Sequence, residues 1–467
     1  MSQTPTNAVD ALAHWVVTRH ADWSRAARTV ARQAFIDVTG CLVAGAREPV
    51  TGRTFDAVRG WGAGPARVVG RAAGLAPPWA ALVNGAAAHA LDFDDTFDPS
   101  KGHATAVLAP ALMAVGEAEG AREAAVLDAY IVGLQVIGRV GQALNPHHRW
   151  RGWHSTATIG VVGAAAGVAR LMGLDRARTA HAIALSTSMA GGFVSQFGSM
   201  AKPLHAGLAA KGGVLAAGLA RAGVDAGRAV LDGAQGMGTL MVGPDVAELR
   251  QALAGRDSFG QTLTFATEAV GDPLLIEAYG LKVKPYPTCA SAHRSVDALI
   301  ALRAEHGFSP EDIERIETRL PLMHLRNLTF PRPESPAEAR FSLHYCLAVA
   351  AVTGDNTLAD FTGQALTRPE VAAVMARVAA DGVDRMDTEC PAQVTVTLTG
   401  GQTVTAAVQH ARGSKANPLD EADLMRKLGG CLSGRLDTDR AAALTDRLAT
   451  FGADRPVAGL MGLLAGA

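Results

Sequence analysis

The sequence predicts a mainly α protein, with a large all-helical domain and a smaller α+β lid domain inserted before the C-terminal helices. Three observations predict it. From Asp10 to about Arg250, apolar residues recur at three- and four-residue spacing. Near Phe265 this yields to strand-like alternation, and after about Ala411 helical spacing returns. The expected division is a discontinuous helical domain of residues 1–270 and 412–467 around an α+β domain of residues 271–411. A chain of 467 residues is long for one simple core, which agrees with two domains.

Element by element, AARTVARQAFIDVTGCLVAG, AAVLDAYIVGLQVIGRVGQAL and KGGVLAAGLARAG read as helices separated by Gly, Pro or Asp turns. Gly160, Gly163 and Gly167 recur in one predicted helix, and Gly207, Gly212 and Gly213 lie in another. Each costs about 1 kcal/mol against Ala in a helix. Close helix–helix approach is a sufficient reason to keep them. IERIETRLPL then reads as a strand, and QVTVTLTGGQTVTAAVQ as a hairpin turning at Gly400-Gly401. Between them EARFSLHYCLAVAAVTG is a helix ended by Gly354, and DEADLMRKLGGCL and DTDRAAALTDRLATFG return to helix.

Composition narrows the function. Lys plus Arg number 43 against 44 Asp plus Glu, so there is no basic stripe for nucleic acid or an anionic membrane. Five scattered cysteines without CxxC or Cys/His spacing suggest reduced thiols in a cytoplasmic protein. The start, MSQTPTNAVDALAHW, has no basic region followed by an apolar one, so no signal peptide is expected. STATIGVVGAAAGVA is apolar but short of the roughly twenty residues a bilayer needs, so no membrane span is expected.

The most informative stretch is HALDFDDTFDPSKGHATAVLAPAL. Asp92, Asp94, Asp95, Thr96 and His103 crowd a connection between two apolar helices in a chain only 19% charged. Charged groups are seldom placed in apolar surroundings unless paired or used. Asp94 to Asp98 also matches DDxxD, a Mg²⁺-diphosphate motif. That chemistry needs a second metal-binding cluster and an aromatic-lined pocket, and aromatic residues are 5% of the chain. Helix capping and pairing with nearby cations is the simpler account for two of the three aspartates of that motif.

Three further segments place basic residues at helix entrances. RGWHSTATIG puts His154 beside Ser155 and Thr156, with His154 either a surface residue before a Ser/Thr cap or part of an anion site. FGSMAKPLHAGLAAKGG carries Lys202 and His205 in a Pro-broken turn. LKVKPYPTCASAHRSVDAL carries Lys282, Lys284, Cys289 and His293. Together the segments suggest one anionic pocket assembled from several helix ends. GAQGMG follows no strand and is no nucleotide fingerprint.

In this order AAHALDFDDT, GHATAVLAPAL, GWHSTATIGVVGAAAG, MAKPLHAGLAAKGG, VKPYPTCASAHRSVDA and EARFSLHYCLAVAAVTG resemble the 2-methylcitrate dehydratase and cis-aconitate decarboxylase family, MmgE/PrpD. The resemblance implies a helical domain built from both chain ends, an α+β lid, a homodimer, and cofactor-free, metal-free chemistry on small di- or tricarboxylates. It assigns His103 to proton transfer, with Lys202 and Asp92 also catalytic. Thr96, His154, Lys284, Cys289, His293 and Tyr345 are assigned to substrate binding.

The chain departs from the decarboxylase pattern. Ala104 follows His103 where that pattern has Pro, Cys289 stands where it has a second histidine, and the Thr96–His103 gap is one residue longer. These features look more like the iminodisuccinate epimerase branch. The expected function is therefore a lyase of the dehydratase type that moves a proton alpha to a carboxylate. Epimerisation of a dicarboxylate is the alternative, and a helical protein that only holds an anionic metabolite is the reading from another class.

Overall fold

The computed structural model describes residues 7–253, 259–265, 267–383 and 390–466. Helices account for 57% of the protein and strands for 10%, the mainly α architecture that the periodicity predicts. Arg25–Gly45, Pro77–His89, Ala104–Ala118, Glu123–Leu144, Gly160–Leu171 and Ala201–Arg221 are the helices that matter for the site.

Glycines set their crossings. Pro77–His89 packs on Ala201–Arg221, where a Cβ at Gly207 would lie 2.1 Å from the Leu82 carbonyl oxygen. One at Gly85 would lie 2.6 Å from Gly207 Cα. Backbones this close leave no room for any side chain. The approach brings the C-terminal end of one helix, His89, to the first turn of the other, Lys202. A Cβ at Gly163 would likewise lie 2.7 Å from the Gly133 carbonyl oxygen, where the Gly160–Leu171 and Glu123–Leu144 helices meet.

The helical run is not unbroken. Ala63–Arg67 and Gly74–Leu75 form a small antiparallel ribbon; its sequence, AGPAR and GL, lacks the alternation that would announce a strand. Glu123–Leu144 is long and apolar enough to cross a bilayer by length and composition, but 83% of its most apolar window is buried inside the protein. It is packed as a core helix.

A second core runs from Tyr286 to Val404. Its sheet has the order Val378–Gly382, Ile313–Leu320, Ala392–Leu398, Thr403–Val408. The last two strands pair in antiparallel register, and Gly400 and Gly401 turn between them at φ 104° and 84°. Val378–Gly382 pairs in parallel with Ile313–Leu320. Its sequence, VAADG, has little β propensity and did not announce it. Ala290–His306 packs on the sheet beside Leu343–Thr353, which Ser342 caps and Gly354 ends at φ 79°. Past residue 411, Glu421–Leu432 and Thr438–Ala449 pack on Arg25–Gly45. Leu424, Leu428, Leu444 and Leu448 thereby join the first core.

Candidate active site

The Asp92–His103 connection leaves one buried helix at His89 and enters the next at Ala104. Asp92 sits at φ 49°, a left-handed conformation that non-glycine residues seldom adopt. Thr96 and Lys282 exchange two backbone hydrogen bonds of 2.9 Å, which tie the loop to the segment leading into the second core. None of the aspartates caps the Ala104–Ala118 helix, whose cap position belongs to His103. Asp98 pairs with Lys282 at 3.2 Å.

Asp92 is the hub. Lys202 Nζ lies 2.5 Å from its Oδ1, and Lys284 Nζ lies 3.2 Å from the same oxygen while donating to the Asp92 carbonyl at 2.7 Å. Burial alone would raise the carboxyl pKa, but the ammoniums of Lys202 and Lys284, with His103 and His89, hold it far below the usual range. Asp92 therefore stays ionised and anchors two cations rather than carrying a proton. Burial lowers the pKa of Lys202, and the Asp92 carboxylate opposes that shift.

The tautomers of two histidines follow from their partners. His103 Nδ1 lies 2.9 Å from the Asp95 carbonyl oxygen and 3.1 Å from Asp94 Oδ2. A carbonyl and a carboxylate only accept, so Nδ1 carries the proton, and in the neutral ring that burial favours Nε2 keeps its lone pair. Nε2 stands 3.6 Å from Asp92 Oδ1. His89 repeats the pattern, donating from Nδ1 to Asp94 at 2.8 Å and accepting at Nε2 from Lys202 at 2.9 Å. Burial pushes His89 down to about 3, against the opposing pull of Asp94. His103 is lowered for the same reason, with Asp94 again opposing.

His154 is no surface residue. It is 3% exposed and occupies the cap position itself, while Ser155 and Thr156 lie inside the helical turn. Thr156 Oγ1 accepts from the His103 backbone N–H at 3.1 Å. The Nδ1 atoms of His154 and His205 are 2.9 Å apart, so one ring donates and the other accepts. Burial and then the charge of Lys202 hold the His154 pKa well below its ordinary value. Lys202 and Pro203 lie in the first turn of the Ala201–Arg221 helix rather than in a preceding turn. A proline costs no hydrogen bond there.

A cavity of about 510 Å³ opens between the two cores. Asp92, Thr96, His103, His154, Lys202, Lys284 and Cys289 all line it. The other two predicted binding residues do not. His293 Nε2 is 3.1 Å from Thr288 Oγ1 and 3.2 Å from the Thr288 carbonyl oxygen, and its ring sits edge-on to Tyr286. Tyr345 donates its hydroxyl to the Asp360 carbonyl at 2.6 Å and packs edge-on to Phe361. Both polar tips are satisfied within the second core, which is why neither turns to the cavity.

Sequence reasoning missed other participants. His89 completes the charge network with Asp94, an aspartate that the sequence singles out as a capping or cation-pairing residue, and the only sequence signal for His89 was a histidine closing an otherwise apolar helix. Arg149 lines the cavity, donates to Asn327 at 2.7 Å and lies over Phe197. Burial lowers its pKa to about 10. Phe197 and Phe341 flank the Lys202 ammonium at 5.2 and 5.0 Å.

Among the described residues, His89, Asp92, Asp94 and His103 bring ligand-type atoms within 4.8 Å of one another. A divalent ion there would have to displace two ammoniums from Asp92 and break the Asp94 contacts to both histidines. The donor set is already committed to ion pairs. The arrangement can instead present a neutral imidazole nitrogen and several cations to a negatively charged ligand.

Comparison with known proteins places these residues in a family. Residues 10–250 match the MmgE/PrpD N-terminal domain and residues 286–449 the MmgE/PrpD C-terminal domain. Cis-aconitate decarboxylase of Mus musculus is 30% identical over 388 residues, which cover 79% of this chain and 75% of that protein. The Aspergillus terreus protein of the same name is 26% identical over 456 residues, covering 91% and 88%. Residues of both matched domains, and of the stretch between them that carries Lys284, line the cavity, and the chain belongs to the MmgE/PrpD family.

Proposed function

We propose that this protein is a lyase that transfers a proton at a carbon alpha to a carboxylate of a small di- or tricarboxylate. The observation that carries this reading is the His103 ring. Its Nδ1 proton is pinned by Asp95 and Asp94, so the Nε2 lone pair is the nitrogen left to act as a base beside Asp92, Lys202 and Lys284. A neutral imidazole accepts the α-proton, and the lysines stabilise the charge that develops on the substrate carboxylate. Arg149 and the His154 ring supply further contacts for an anion.

In the dehydratase form of this reading, the carbanion-like intermediate expels a β-hydroxyl. Decarboxylation is a second form, supported by the names of the relatives. Epimerisation, an isomerase reaction that reprotonates the same carbon on its other face, is the alternative to the lyase reading, supported by Cys289 standing in the cavity as another protic group.

Proton NMR in D₂O of a polycarboxylate panel with the purified protein separates the three. Alkene formation marks dehydration, loss of a carboxyl group marks decarboxylation, and α-deuterium exchange with inversion marks epimerisation. His103→Gln removes turnover by about 10²–10⁴-fold while keeping the fold, because glutamine retains a polar end but cannot exchange a proton at neutral pH. Turnover within about tenfold of wild type would leave proton transfer by His103 untenable and favour simple metabolite binding.

A further inference from the structure

We propose that Lys427, on the C-terminal Glu421–Leu432 helix, is a positioning residue that holds the Asp92–Asp94 turn in its working conformation from behind the cavity. Lys427 does not line the cavity. It is 9% exposed, and its Nζ donates to the Phe93 carbonyl at 2.7 Å and lies 3.9 Å from the Phe93 ring centroid. The same ammonium forms an ion pair with Asp37, which is buried on the Arg25–Gly45 helix.

Phe93 separates the two carboxylates that organise the site. Asp92 on one side anchors Lys202 and Lys284, and Asp94 on the other fixes the tautomers of His89 and His103. Asp92 reaches its lysines from a left-handed backbone, at φ 49°. Such a conformation persists only where the surroundings over-determine it. Lys427 provides that constraint through one peptide carbonyl and one ring, and Asp37 keeps the ammonium charged and aimed. Burial pushes the Asp37 carboxyl pKa up, and Lys427 opposes this.

A buried ion pair is a poor device for stability alone, since well-packed apolar residues of similar volume often serve as well or better. Here the ammonium also reaches a neighbour that a hydrocarbon cannot hold, the carbonyl of the site loop. The pair therefore links the tail helix to the chemistry, and that link separates a positioning role from a purely structural one.

The test compares wild type with Lys427→Met and with Asp37→Leu/Lys427→Met, which replaces both charges with apolar groups. Two readouts are taken: kcat and KM on whichever polycarboxylate the panel identifies, and the ring resonances of isotope-labelled histidines in the free protein. The first readout rests on the proposed activity, but the second does not. Positioning predicts that the double variant recovers thermal stability, that kcat remains depressed by about 10²-fold while KM moves less, and that the His89 and His103 resonances are displaced. A double variant with wild-type stability, wild-type kcat and unmoved histidine resonances overturns the proposal; where no substrate has been found, unmoved resonances alone do so. Should the double variant not fold, Asp37→Asn keeps the Lys427–Phe93 bond. It must then disturb the histidine resonances less than Lys427→Met does, and equal disturbance overturns the proposal.

Discussion

Lys202 and Asp92 form a buried ion pair at 2.5 Å in which the lysine is 4% exposed and also donates to His89. The pair is not closed on itself, because Lys284 shares the same carboxylate oxygen. Asp94 balances the second ammonium from behind, so the excess of positive charge comes from the cavity lining, where Arg149, Arg294, Lys101, Lys282 and Lys415 join the two lysines against only Asp92 and Asp98 among the described residues. That excess is the physical basis for expecting an anionic ligand.

Lys202→Met should therefore weaken binding as well as turnover. Hydrogen bonds to charged groups contribute about 1.5–3 kcal/mol, which corresponds to roughly 10–100-fold in affinity. Titration calorimetry with tricarballylate, a saturated tricarboxylate, measures this without chemistry. Asp92 retains Lys284, so the loss of stability should fall below the ~3–5 kcal/mol typical of stranding a buried charge. Unchanged tricarballylate affinity would remove Lys202 from the binding site.

Tyr345→Phe tests whether Tyr345 takes part in substrate binding. The hydroxyl bonds the Asp360 carbonyl inside the second core, so its loss should lower stability by about 1–3 kcal/mol. Steady-state kcat and KM should stay at wild-type values, because the ring does not reach the cavity. A rise in KM without loss of stability would restore Tyr345 to the substrate site.

What the sequence revealed of this site depended on whether a residue contradicted its local surroundings. Asp92 and His103 did, as charged groups between apolar helices, and they line the cavity. Lys427 did not: in EADLMRKLGGCL it reads as the polar face of an amphipathic helix, and only packing against Arg25–Gly45 buries it. His293 and Tyr345 lie in segments that supply the site, but their hydrogen bonds close inside the second core. The hairpin at Gly400-Gly401 was legible because its flanks alternate. Val378–Gly382 was not, since a short strand takes its partner from tertiary context.

Two glycines in one helix should respond with opposite signs. Alanine is intrinsically better than glycine in a helix by about 1 kcal/mol. At Gly218 nothing lies within 4 Å of an added Cβ, so Gly218→Ala should raise the melting temperature. At Gly207 the Cβ would lie 2.1 Å from the Leu82 carbonyl oxygen, and the helices must separate. Gly207→Ala should cost about 1–3 kcal/mol or more and should also reduce turnover, because the same crossing delivers His89 to Lys202. Thermal melts of both variants, with activity measured well below the transition, check the pair. A stabilised Gly207→Ala would mean that the two helices can separate without cost.

Acid should unfold this protein earlier than its carboxylates alone would cause. His89, His148 and His293 are each held by burial at a pKa of about 3 in the folded state, against about 6.5 when unfolded. Between those values the unfolded chain binds protons that the folded chain refuses, so stability falls as pH drops from about 6.5 toward 3. Each such histidine contributes up to about 1.4 kcal/mol per pH unit. The lowered pKa values of His103 and His154 act in the same direction. Asp37, Asp95, Glu117 and Asp297, whose pKa values burial raises, act oppositely above their unfolded values, but they are four against nine histidines, since burial also lowers His147, His205, His324 and His344. Below 3.8, Asp92 and Asp94 add to the loss, because their folded pKa values are depressed and protonation then favours the unfolded chain. Denaturant melts from pH 7 to 4 should show falling stability and net proton uptake on unfolding of more than one. A flat profile across that window would mean that the buried histidines already carry protons in the folded state, which for His89 is contrary to the bond that its Nε2 accepts from Lys202.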